Sequence, residues 1–173
     1  MGCSRVIIRD AVHEDFAQFG PFFRAIVADG ESYNYPDGLS DDDIEHLWLL
    51  PAPWRMIAAV DDDGTLLGVA KFGPNHPNRG AHIANASFMV NPDAQGRGVG
   101  RRLGEEVLRL AREAGFRGMQ FNAVVETNQA AVKLWQSLGF EIMTTIPNAF
   151  LSKRHGYVGL HIMFQSFEQN DLP

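Results

Sequence analysis

One turn narrows the possible folds of this chain more than any other stretch: Ala84 to Gly100, ANASFMVNPDAQGRGVG. An apolar strand runs into Asn91-Pro92-Asp93, passes glycines 96, 98 and 100, and enters a long amphipathic pattern. A strand that empties through glycines into a helix start leaves several backbone N–H groups without intrahelical partners. Those donors, with the positive end of the helix dipole, form an anion site. Glycine suits such a turn because the backbone must come close to the anion and can adopt φ > 0 there.

The spacing decides which anion. Gly100 is followed by Arg101-Arg102 rather than Lys-Ser/Thr, so the phosphate loop of nucleotidases does not fit. A dinucleotide fingerprint would need a third small residue where Leu103 stands, and the turn lies mid-chain. What fits is Gln95-x-x-Gly98-x-Gly100, followed by a second block, Asn128-Gln-Ala-Ala131-Val-Lys-Leu134-Trp135-Gln-Ser-Leu138-Gly139-Phe140. In these two motifs, in this order, the chain resembles the GNAT N-acetyltransferase superfamily. There Q/R-x-x-G-x-G/A cradles the pyrophosphate of acetyl-coenzyme A, and the second block reads N-x-x-A-x-x-L-Y-x-x-x-G-F. Trp135 stands in the usual Tyr place. The resemblance is strongest over residues 82–140.

Composition removes other classes. The 173 residues suit one domain with a sizeable core, and a formal net charge of −6 argues against a nucleic-acid partner. Asp41-Asp42-Asp43 and Asp61-Asp62-Asp63 read as a helix start and a hairpin turn, with no further carboxylates at metal-liganding spacing. Cys3 is the only cysteine, which leaves no disulfide framework. No apolar run reaches the ~20 residues of a membrane span. The Met1-Gly2 start fits neither a signal peptide nor a myristoylation pattern. A cytoplasmic protein without metal is the expectation.

Along the chain, Val6-Ile7-Ile8 reads as an edge-like strand, and Asp15 to Ala28 as a helix with apolar residues at helical spacing and a bend expected at Gly20-Pro21. A polar, aromatic loop follows, Glu31 to Gly38. Ser40-x-x-Asp43 starts a second helix in the manner of a capping box. Strands Arg55 to Asp61 and Leu66 to Phe72 flank the Asp62-Asp63-Gly64 turn. Then come a central strand, His82 to Val90, the glycine turn, and a helix to Ala114. A strand from Met119 to Val125, a helix from Asn128 to Leu138 and a strand from Phe140 to Ile146 follow. A loop from Pro147 to Gly156 and a strand from Tyr157 to Phe164 end the pattern. This is an α/β (α+β) chain, a mixed sheet with helices on both faces and residues 1–173 as a single domain. The resemblance implies about seven mostly antiparallel strands, about four helices, and a V-shaped splay between 82–90 and 119–125.

Acetyl transfer to an amine needs a held thioester, a neutral nucleophile and a route for the leaving thiolate. The resemblance implies that Gln95 and the amides of Arg97, Gly98, Val99, Gly100 and Arg101 hold the pyrophosphate, with Arg101 or Arg102 adding charge. Arg102 fits a solvated helix face as well. Amides near Met89 and Val90 would meet the pantetheine arm. Asn128 suits both an N-cap and a cofactor contact, and Trp135 would line the coenzyme site. An amine of pKa about 10 costs about 3–4 kcal/mol to deprotonate at pH 7. Many family members carry a glutamate on the central strand for this, where the present chain has Ala84-Asn85. Glu126, Glu31 and His82 are the substitute candidates, each more readily read as an ordinary surface residue. Indole N–H donates a hydrogen bond but no proton, so Trp135 is no general acid. Tyr157 is a weak alternative acid.

Asn85 and Asn122 occupy places on the central strands otherwise filled by apolar residues, and a buried amide needs partners. Together with Thr127-Asn128, Leu134-Trp135, Leu138-Gly139-Phe140 and Ile146-Pro147, they resemble the GNAT subgroup that includes fungal acetyltransferases of toxic proline analogues. That resemblance implies catalytic or substrate-handling roles for Asn85 and Asn122, a substrate wall from Tyr33 and Tyr35, a small amine or amino/imino acid as acceptor, and a homodimer. An acyl-CoA sensor with weak or no catalysis and a protein N-acetyltransferase are the competing expectations.

Overall fold

The computed structural model describes residues 6–167, so Cys3 and the Met1-Gly2 start lie outside the described residues. Seven strands form one sheet in the order β1-β2-β3-β4-β5-β7-β6. They are β1 (Ile7–Asp10), β2 (Arg55–Val60), β3 (Leu66–Pro74), β4 (Ile83–Val90), β5 (Gly118–Val125), β6 (Glu141–Ser152) and β7 (Gly156–Ser166). Every neighbouring pair is antiparallel except β4 and β5. That parallel pair needs a crossover, and the helix Val99–Glu113 supplies it. The described residues also form four α-helices, α1 (Phe16–Asp29), α2 (Asp41–Trp48), α3 (Val99–Glu113) and α4 (Gln129–Ser137).

Period-two alternation splits the core between the faces of the sheet. Met56, Ala58 and Val69 pack with Phe16, Phe19, Phe23 of α1 and Ile44, Trp48 of α2. Ile57, Leu67, Phe72 and Phe88 pack with Leu103 and Val107 of α3 and Trp135 of α4. The expected capping box starts α2: Ser40 Oγ accepts from the Asp43 N–H, and the Asp43 carboxylate accepts from the Ser40 N–H at 3.1 Å. The other acidic cluster is also structural, since Asp63 accepts from the Thr65 N–H at 2.9 Å and Asp61 pairs with Arg97.

α1 runs through Pro21, with Phe19, Phe22 and Phe23 buried on either side of it. One local expectation needs correction. Residues 147–152 are strand, not loop: β6 continues to Ser152 and leaves only a tight turn before β7. Pro147 is tolerated because β6 is the edge of the sheet, where an N–H can be missing. The pairing shifts register between Ile146 and Phe150, with Asn148 at φ +54°, so the strand absorbs the proline as a bulge.

Candidate active site

The glycine turn is built as an open cradle. Asn91 caps it, with Oδ1 accepting from the Asp93 N–H at 3.0 Å and Nδ2 donating to the Leu66 carbonyl at 3.2 Å. Gly96 and Gly98 hold φ of +77° and +73°, and a Cβ added at either meets nothing within 4 Å. Gly98 is the N-cap of α3, whose first backbone bond runs from the Arg102 N–H to the Gly98 carbonyl at 3.1 Å. The amides of Gly98, Val99, Gly100 and Arg101 therefore precede any intrahelical partner. Gly100 does something different: a Cβ there would lie 3.3 Å from Leu134 Cδ2, so its smallness lets α3 approach α4. The donor set and the open face fit a diphosphate.

The neighbouring arginines divide. Arg97 reaches back to Asp61 at 2.9 Å. Arg101 leans toward α4, donating to Ser137 Oγ at 2.7 Å, whereas Arg102 donates to the Val6 carbonyl near β1.

Beside the cradle the sheet parts. β4 and β5 share only two rungs, Ile83↔Gly118 and Ala84↔Met119. Beyond them the strands diverge around a cavity of about 350 Å³. Asn85, Asn122, Tyr33, Tyr35, Asn128 and Trp135 all line it, so six residues expected at the site meet in one place. Trp135 forms its aromatic floor, 8% exposed, with ring centroids 4.6 Å from Phe88 and 4.9 Å from Phe121. Among the described residues, no carboxylate, imidazole, ammonium or guanidinium lines this cavity. Its titratable groups are Tyr33 and Tyr35, and burial pushes both phenols up.

A second cavity, about 580 Å³, shares Tyr33 and Asn128 with the first and reaches Val90 and Gln95. Its far wall is the turn between β6 and β7, tied to the end of α1. The Lys153 N–H donates to the Gly30 carbonyl at 3.2 Å, Ser152 Oγ to Glu31 at 2.7 Å, and Arg154 pairs with Asp29 at 2.9 Å.

Other expected residues stand elsewhere. The Glu126 carboxylate accepts from the Gly159 N–H at 2.5 Å, and Glu126 lines neither cavity. Glu31 lines the second cavity, and its hydrogen bond from Ser152 holds the carboxyl below its usual range, opposite to what a base needs. His82 is exposed before β4. Tyr157 is 69% exposed and pairs with Leu151 on the outer hairpin. The Met89 side chain is buried in the α1 layer, so only its backbone can serve a ligand. Asn128 caps α4, accepting from the Ala131 N–H at 3.3 Å, while also lining both cavities.

Two neighbours were not legible beforehand. Asn75, in a stretch that reads only as a loop, accepts a hydrogen bond from Asn122, which in turn accepts one from Gln120. Lys71 on β3 is cross-strand from Ser87 of β4 and lies outside the lining. Its Nζ donates to the Leu47 carbonyl at 2.5 Å and sits 5.1 Å from the Trp48 ring centroid. Burial pushes this amine down to about 8.

Comparison with known proteins agrees with this geometry. The acetyltransferase (GNAT) family model matches residues 12–140. The N-acetyltransferase aca1 of Schizosaccharomyces pombe is 38% identical over 113 residues, 65% of this chain and 54% of that protein. The L-amino acid N-acyltransferase MnaT of Escherichia coli is 34% identical over 92 residues, 53% of each chain. This chain thus spans about half the length of both relatives. A solved GCN5-related N-acetyltransferase from Kribbella flavida is 52% identical, with a TM-score of 0.90, covering 93% of this chain and 97% of that one.

Proposed function

The chain belongs to the acetyltransferase (GNAT) family, and from that premise we propose that it moves the acetyl group of acetyl-CoA to the nitrogen of a small amine or amino/imino acid, in a ternary complex of both substrates. The observation that carries this reading is the cavity where β4 and β5 part, lined by Asn85 and Asn122 and sharing Ser32, Tyr33 and Asn128 with the second cavity, which reaches Gln95 at the start of the glycine cradle.

Acetyl-CoA supplies an activated acyl group as a thioester. The free amides from Gly98 to Arg101 bind its diphosphate, and the backbone of β4 beyond Ala84, unpaired on the β5 side, offers hydrogen bonds to its arm. The acceptor nitrogen attacks the carbonyl carbon, the C–S bond breaks, and the coenzyme departs as a thiolate of ordinary pKa about 8.5. The proton lost by the nitrogen passes to solvent, because among the described residues no group lining the cavity accepts it near neutrality. Asn85 and Asn122 orient the acceptor, and Trp135 excludes water from the floor. Catalysis then rests on positioning.

The bonds joining the β6–β7 turn to α1 support a small acceptor over a polypeptide, since they close the side along which a chain would lie. The same reading makes the enzyme a cytoplasmic homodimer; the exposed Ile142, Met143 and Ile146 on edge strand β6 are apolar surface that a second subunit would cover. The lack of a titratable base along the cavity favours one rival, an acyl-CoA sensor. A thiol-release screen over amino acids, imino acids, polyamines and other amines tests the proposal. Turnover with small amino or imino acids supports it; tight coenzyme binding without release on any amine selects the sensor.

A further inference from the structure

Three amides form a directional chain across the parting of the sheet. Gln120 Nε2 donates to Asn122 Oδ1 at 2.8 Å, and Asn122 Nδ2 donates to Asn75 Oδ1 at 2.7 Å. The two ends of this chain are anchored on opposite halves of the sheet. Asn75 directly follows β3, and its N–H donates to the Ile83 carbonyl of β4 at 2.8 Å. Gln120 lies on β5, paired with Phe164 of β7. The Asn75–Asn122 bond thus spans the gap that opens after the last β4–β5 rung at Ala84↔Met119.

An asparagine amide has two N–H donors and two acceptor lone pairs. The chain uses one of each on Asn122, and leaves one of each for the cavity that Asn122 lines. We propose that Asn75 is a positioning residue for acetyl transfer: by accepting from Asn122 Nδ2 it locks the orientation of that amide, so that one N–H and one lone pair address the acceptor. The matching acceptor carries a donor and an acceptor side by side, as the nitrogen and carboxylate of an amino or imino acid do. Without the bridge only the Gln120 bond restrains the Asn122 amide, whose last torsion is broad and roughly two-fold, so its orientation is less sharply fixed. This inference rests on the acetyltransferase reading above.

Steady-state kinetics of Asn75→Ala and Asn75→Asp, on an amino or imino acid that the screen finds active, test it beside calorimetric titration with coenzyme A. Asn75→Ala is expected to lower kcat/KM for the acceptor roughly tenfold, the worth of one net hydrogen bond, with coenzyme affinity unchanged. Asn75→Asp is expected to retain most activity, because a carboxylate accepts the same bond from Asn122 Nδ2. In an Asn122→Ala background, Asn75→Ala is expected to add nothing. Wild-type kinetics in Asn75→Ala, an equal loss of coenzyme affinity, or no rescue by Asn75→Asp would each overturn the proposal. If the wild type acetylates no amine, the function reading fails instead, and the bridge is read from the Asn122 side-chain amide resonances, identified by their loss in Asn122→Ala. Faster solvent exchange of those resonances in Asn75→Ala supports the bridge, and unchanged resonances overturn it.

Discussion

Ala84 and Met119 form the last rung between β4 and β5, and Asn85 is the next residue along β4. Its amide therefore sits at the first position where the sheet has opened, at the apex of the cavity it lines. Asn85→Ala should lower kcat on the order of tenfold to a hundredfold, as expected when an orienting group is lost, while the calorimetric affinity for coenzyme A stays near wild type. Equal losses in both would reassign Asn85 to structure.

Gly98→Asp tests the cradle. The position holds φ +73°, which an L side chain adopts only at a cost of roughly 1–2 kcal/mol, and its Cβ would project into the open face. A carboxylate there also repels a diphosphate. Coenzyme binding should be lost, while circular dichroism shows the fold retained. Unchanged affinity would count against the cradle.

With no carboxylate or imidazole among the described residues lining the Asn85–Asn122 cavity, that cavity should contribute no ionisation near neutrality. Log kcat/KM should climb with unit slope as pH rises toward the acceptor's own ammonium pKa, and then level off. Tyr33 and Tyr35, raised by burial, stay protonated over that range. Acceptors of lower pKa should reach the plateau earlier. A bend at about pH 6–7, in the range of a histidine and independent of the acceptor, would reveal a base on the enzyme.

Lys71 gives a stability signature. Its folded pKa, about 8, lies below the ordinary value of 10.5, so between these pH values the unfolded chain binds more protons than the native one. Burying the charged amine thus costs stability in full below about pH 8, and the cost fades as pH rises toward 10.5. Relative to Lys71→Met, which carries no charge, the wild type should gain thermal stability from pH 8 to 10. A constant difference in Tm across that range would show that the Trp48 face and the Leu47 carbonyl hold the ammonium at its ordinary pKa.

The elements that announced themselves in sequence did so through local chemistry. Gly96 and Gly98 needed positive φ, Ser40 and Asp43 cap each other within a single turn, and Asp62-Asp63-Gly64 closes a hairpin. The splay after Ala84 came from resemblance and is seen in the pairing. What stayed hidden depends on contacts between distant segments. Pro147 reads as a strand breaker until β6 is known to be an edge. Glu126 reads as a free carboxylate until Gly159 is seen to supply its N–H. Asn75 lies 47 residues from Asn122, in a run of Gly, Pro, Asn and His that carries no periodicity, so nothing local predicts the bond between them.

The bonds between the last hairpin and the end of α1 join residues as much as 125 apart. A chain emerging from the ribosome therefore has its glycine bend well before it has a finished chamber. Only when Ser152 and Lys153 arrive beside Gly30 and Glu31 does the hollow gain its outer rim. Assembly of this pocket waits for that hairpin, and removing the hairpin would leave the glycine bend without the chamber's outer wall.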